Sequence, residues 1–229
     1  MTAEALRVVL CWHMHQPEYR DLDSGRFRQP WALLHAVKDY ADMAAHLEHH
    51  AGARAVVNFS PVLLVQLEAC RRQLDACQDG RGIPEEPLLA ALATDTLPVQ
   101  PGARATLARR CLRVNRDRLV APWPAYADLV TVVEHALARH RAEWLSDQCL
   151  LDLVTWYHLA WTGASVRAAE PLVRRLLERG GGFTAADRRG LLAVYRRTVA
   201  GLGDRYKALA AAGRIELSVS PYAHPILPL

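Results

Sequence analysis

The chain has 229 residues, of which 51% are hydrophobic, 23% charged and 7% aromatic. That is the make-up of a folded domain, too apolar for disorder and long enough for a sizeable core. A formal net charge of +4, from 28 basic and 24 acidic residues without a block of like charge, implies neither a nucleic-acid partner nor a membrane surface.

Three segments read as strands, each short, rich in β-branched residues and bounded by Gly or Pro. The first is residues 6–12, LRVVLCW, running into His13-Met14-His15-Gln16-Pro17. Pro30 opens a helix at its first turn, where a missing N–H is harmless. Trp31, Leu34, Val37 and Leu47 give that helix an apolar face up to His50, and Gly52 ends it. The second strand is residues 54–59, RAVVNF. Ser60-Pro61 is a cap followed by a first-turn proline and starts a helix reaching about Cys77. Gly and Pro between residues 80 and 101 mark loops around a short helix. Further helices are predicted over 103–120, 124–142, 145–161, 165–179 and 184–212. The last begins with a capping box, Thr184 with Asp187, after a Gly180-Gly181-Gly182 hinge. The third strand is residues 214–220, RIELSVS.

Strand, helix, strand with short connections implies parallel pairing and an α/β class. The strand and helix units fall at about residues 6–78 and 213–229, and a helical insertion at about 80–212 separates them. Three strands cannot close a barrel and leave apolar edges unpaired. The chain then stops on the apolar run HPILPL. The expectation is the N-terminal part of a longer domain whose remainder is missing.

No apolar run approaches the roughly 18 residues of a membrane span. The start, MTAEALRVVLCW, has no basic region before a very short apolar run and does not resemble a secretory leader. Cys11, Cys70, Cys77, Cys111 and Cys149 are an odd number, lack a CxxC and lie in apolar segments. They predict reduced, buried thiols and a cytoplasmic location.

Strand parity sorts the side chains into faces. Ile215, Leu217 and Val219 share a face expected to pack on helices, which turns Glu216, Ser218 and Ser220 to the other. Asn58 goes with Val56 and Ser60, while His13 and His15 follow Cys11. Polar groups therefore gather toward the C-terminal ends of the strands, where α/β enzymes keep their sites. His13 and His15, at i and i+2, have the spacing to converge on one metal ion, as in a metal-dependent barrel hydrolase. Two histidines hydrogen-bonding in a polar cleft satisfy the same pattern, and no third ligand is assigned. His46, His49 and His50 end a helix, where imidazolium complements the dipole. Trp12, Trp31, Tyr19, Tyr222 and Phe59 lie near strand ends and could stack on sugar rings, with core packing the alternative. Trp123, Trp144, Trp156 and Trp161 are expected in the core of the insertion. Glu216 is placed inward by parity, where a carboxylate needs a polar surround, or else on a solvated strand surface.

WHMHQPEYRD, QPWALLHAVKDYADMAAHLE, AVVNFSPVLLVQLE and GRIELSVSPYAHPILPL are four collinear blocks. They resemble the N-terminal half of a glycoside hydrolase family 57 catalytic domain, with the α-amylase and amylopullulanase-like branch the nearest in look. The resemblance spans about Val8 to Leu229 and is vaguest over 79–125. It implies the front of an incomplete (β/α)7 TIM-like barrel, with a large helical insertion, acting on α-glucans with retention. His15-Gln16-Pro17 matches the family's first motif. Gly213-Arg214-Ile215-Glu216 matches its G-Q-x-E stretch, with Arg214 in place of the usual Gln. The substrate-binding residues implied or read are His13, His15, Gln16, Trp31, Glu216, Tyr222 and His224. The family's nucleophile Glu and acid/base Asp lie downstream of the second motif, so no catalytic residue is assigned and the chain alone is expected to be inactive. No cofactor or metal is assigned. The expected partner is an α-glucan, and a non-catalytic α-glucan-binding remnant is the third reading.

Overall fold

The computed structural model describes residues 8–223. His224 and the apolar run after it lie outside the described residues. The fold is mixed α/β, mostly helical, with a parallel three-stranded sheet in the order β1-β2-β3. Strand β1 (Cys11–Met14) is followed by α1 (Trp31–His35), a π-helical turn (Ala36–Tyr40) and α2 (Ala41–His49). Then come β2 (Ala55–Phe59), α3 (Pro61–Gln78), α4 (Pro87–Ala93) and α5 (Pro101–Cys111). A second π turn (Arg116–Val120) leads to α6 (Pro124–Ala138), a 3-10 turn (Ala142–Trp144) and α7 (Asp147–Ala160). The chain closes through α8 (Ala164–Ala169), α9 (Pro171–Arg179), α10 (Ala185–Ala211) and β3 (Ile215–Val219).

The predicted elements hold, with boundary changes that have local causes. β1 starts at Cys11, because Val8, Val9 and Leu10 are exposed and not in a strand. The helix predicted over 165–179 divides at Pro171, which has no N–H to continue α8 and instead starts α9. The helix predicted over 103–120 ends at Cys111, and the Asn115 side chain caps a fresh turn by accepting from the Arg118 N–H. The Thr184–Asp187 capping box forms, both bonds being present. Gly180 ends α9 in the left-handed region at φ 75°, a conformation that glycine adopts without penalty.

One apolar cluster runs from Met14 and Val57 of the sheet through Leu63 and Leu74 to Trp156 and Tyr195. Helix α7 lies at its centre: Tyr126 stacks on Trp156 at 5.4 Å, and the Trp156 indole N–H donates to the Gly180 carbonyl. Of the tryptophans expected in the core, Trp156 and Trp161 are buried and Trp123 packs partly against it. Trp144 is 60% exposed, since its short 3-10 turn lies on the surface. Cys70 and Cys111 are buried, but Cys11 is exposed because its strand face has no covering layer. No helix of the described residues is long and apolar enough to cross a membrane.

Candidate functional site

In-register parallel pairs place Cys11, Val56 and Glu216 in one row of the sheet, and His13, Asn58 and Ser218 in the next row toward the C-terminal ends. This face is polar, and Cys11, His13, Glu216 and Ser218 are exposed on it. The opposite face carries Met14, Val57 and Ile215, all buried against helices. Packing on that face is incomplete: Leu217 is 50% and Val219 70% exposed, and Leu217 borders an open cavity with Phe59, Leu64 and Tyr206. Trp12 and Phe59 also belong to this helix side, and Phe59 meets the Tyr206 ring edge-on at 5.1 Å. Both are therefore packing residues.

The His13 row is hydrogen-bonded from strand to strand. Asn58 Nδ2 donates to Ser218 Oγ at 3.0 Å, which leaves Asn58 Oδ1 as an acceptor for His13 Nδ1–H at 2.7 Å. In this arrangement the His13 Nδ1 carries the proton. The His15 ring stacks on His13 with centroids 5.6 Å apart and planes 13° from parallel. Among the described residues no three of His, Cys, Asp or Glu converge as a metal-ligand set.

The turn after β1 is held from below by Gln66, a fully buried residue of α3. Its Oε1 accepts the Tyr19 backbone N–H at 3.0 Å, and its Nε2 donates to the Pro17 carbonyl at 2.9 Å. No sequence motif marks Gln66. The available cue is a glutamine on the apolar stripe of Val62, Leu63, Leu67 and Cys70.

Gln16 itself is gripped on both sides. The Tyr19 hydroxyl donates to Gln16 Oε1 at 2.8 Å, and Gln16 Nε2 donates to the Tyr40 hydroxyl at 3.3 Å. An amide so held keeps one N–H and one oxygen lone pair for a ligand. Burial pushes the Tyr40 hydroxyl up to about 12, so it stays neutral. Rings continue outward from Tyr40: His35 lies 6.2 Å away, Trp161 5.5 Å from His35, and Trp31 5.7 Å from Trp161. Next to them, Asp39 pairs with His35 at 2.5 Å and Lys38 at 2.6 Å. Burial opposes its ionisation, but those two partners hold its carboxyl below the ordinary range.

The structure brings His13, His15 and Gln16 together at the strand ends, and joins Trp31 to them only through the ring chain above. Trp31 also borders a small cavity with Glu86, Arg110, Arg113 and Tyr157. Glu216 lies on the polar face one row toward the N-terminal end from His13, beside a cavity lined by Leu10, Arg54, Gly213 and Arg214. The Arg214 guanidinium is engaged elsewhere than with Glu216. It donates to the carbonyls of Ala53, Leu47 and His50, at and just beyond the C-terminal end of α2. Tyr222 is 53% exposed past the end of β3, and its carbonyl accepts the Val62 N–H at the start of α3.

A parallel sheet with polar residues and a clamped carboxamide at its strand ends defines an α/β domain of the kind that hosts small-molecule or saccharide chemistry. Residues 9–229 match the family described as Glycosyl hydrolase family 57, and the chain belongs to that family. At family level it is a glycoside hydrolase or transglycosidase of carbohydrate metabolism, with a carbohydrate as its substrate class. Comparison with curated proteins and with solved structures finds no significant match.

Proposed function

We propose that this chain supplies the scissile-sugar subsite of a retaining, α-glucan-active enzyme of the amylase and amylopullulanase-like branch, built as an incomplete (β/α)7 barrel. The observation that supports it best is the Gln16 amide clamped between Tyr19 and Tyr40, in the segment that follows the stacked His13–His15 pair. A fixed donor and acceptor match the hydroxyl-rich edge of a pyranose, whose binding depends on oriented hydrogen bonds. Glu216, Tyr222, Trp31 and His224 complete the proposed subsite.

Retaining hydrolysis needs two carboxyl groups roughly 5–5.5 Å apart, one attacking and one protonating the leaving oxygen. Among the described residues the polar strand face carries one carboxylate, Glu216, in line with Cys11 and Val56. The family pattern puts the nucleophile Glu and the acid/base Asp downstream of the second motif, and residues 217–229 contain neither Asp nor Glu. In this reading the chain binds sugar and leaves the bond intact.

Calorimetric titration with maltoheptaose and with cellohexaose, alongside a reducing-sugar assay on soluble starch, tests both parts. Weak but saturable binding of the α-linked oligosaccharide, with no release of reducing ends, is expected. Equal binding of the β-linked oligosaccharide overturns the α-glucan assignment. Starch hydrolysis by the purified chain overturns the placement of the carboxylate pair.

A further inference from the structure

The π turn Ala36–Tyr40 has an identifiable cause. The Val37 carbonyl accepts the Gly163 N–H from the α7–α8 link at 2.9 Å, an outside donor entering the helical ladder. A side chain at position 163 would not allow this approach, because a Cβ there would stand 2.8 Å from the Lys38 carbonyl and 2.6 Å from Asp42 Oδ1. Asp42 in turn accepts from the backbone N–H groups of Ala164 and Ser165. At the far end of the turn, the Tyr40 carbonyl takes the Tyr206 hydroxyl at 2.9 Å. Tyr40 is thus fixed by α7–α8 on one side and α10 on the other. Its own hydroxyl goes to Gln16, a half-buried loop side chain. Wide helical turns of this kind recur at functional sites because they re-aim a side chain.

We infer that Tyr40, aimed by the π turn, is the positioning residue for the Gln16 carboxamide, with Tyr19 as the opposing jaw. The inference rests on the reading of Gln16 as a sugar-binding side chain. A primary amide can pivot about its last side-chain bond, so a single partner leaves its plane unset. Tyr19 and Tyr40, bonded to opposite ends of the amide, hold its plane in place, and the remaining N–H and oxygen lone pair meet a ligand from fixed positions. Pre-ordering of this sort raises affinity by removing an ordering cost at the moment of binding.

Two readouts on the full chain test it. Tyr40→Phe keeps the ring and removes the acceptor, and the side-chain NH2 resonances of Gln16 in a nitrogen–proton spectrum report the amide directly. Those resonances should shift and lose their separation, with maltoheptaose affinity falling about fivefold, roughly the worth of one hydrogen bond. Tyr19→Phe, from the opposite jaw, should move the same resonances and serves if Tyr40→Phe folds poorly. Unmoved Gln16 resonances in both variants overturn the inference, as does unchanged affinity in variants of a chain that binds. If the parent chain binds no saccharide, the α-glucan reading fails, and the amide resonances alone decide the role of Tyr40.

Discussion

Glu86 offers a sharp test because its burial and its hydrogen bonds act in opposite directions. It is the N-cap of α4, and its Oε2 accepts from the backbone N–H groups of Leu88 at 2.9 Å and Leu89 at 2.8 Å. These bonds and the nearby Arg110 favour the carboxylate, yet burial at 5% exposure outweighs them and raises the carboxyl from 4.5 to about 7. Between those values the folded chain holds a proton that the unfolded chain has released. Stability is therefore fully present below 4.5 and is lost as pH rises through 7. Glu86→Gln keeps a carbonyl acceptor for both N–H groups and removes the charge. Its stability relative to the parent should improve by about 2 to 3 kcal/mol between about pH 5 and about pH 8.5. Urea denaturation of both chains at the two pH values measures this directly. A difference that does not change with pH refutes the reasoning, since only the titration of Glu86 supplies the slope.

His158 acts in the opposite sense, and the same substitution should reveal it. Its imidazole is fully buried, donates Nδ1–H to the Val154 carbonyl at 2.7 Å, and is lowered by burial from 6.5 to about 4. That contribution is present above 6.5 and is lost as pH falls toward 4, so in Glu86→Gln stability should drop on acidification with the Glu86 gain no longer masking it. Arg214→Gln should lose about 1 to 2 kcal/mol in thermal or urea unfolding, because three carbonyls at and just beyond the end of α2 lose a charged donor. Its saccharide affinity should stay unchanged, and a loss of affinity at full stability would place that side chain in the subsite. Gly163→Ala should cost about 2 kcal/mol by forcing the π turn and the α7–α8 link apart. An unchanged melting temperature would show that the close approach is dispensable.

The elements and much of the sheet's chemistry are legible in the sequence, because they follow from local rules. Period-two alternation put His13, Asn58 and Ser218 on one face, and the parallel register then aligned them in a single row. Pro61 and the Thr184–Asp187 pair set helix starts through the missing or capped N–H groups of the first turn, whereas the 165–179 pattern runs through the break at Pro171. The family motifs pointed to His15, Gln16 and Glu216 as linear patterns. The tertiary structure decided what lies far apart in sequence. That Tyr40 and Tyr19 grip Gln16, that Gln66 holds the turn beneath it, and that Gly163 opens the π turn depend on contacts separated by up to about 126 residues. It also decided that Glu216 lies a row behind His13, that Arg214 serves a helix end, and that the helix-side residues Leu217 and Val219 stay exposed. Alternation fixes which face a side chain takes, but what covers that face depends on packing between distant elements.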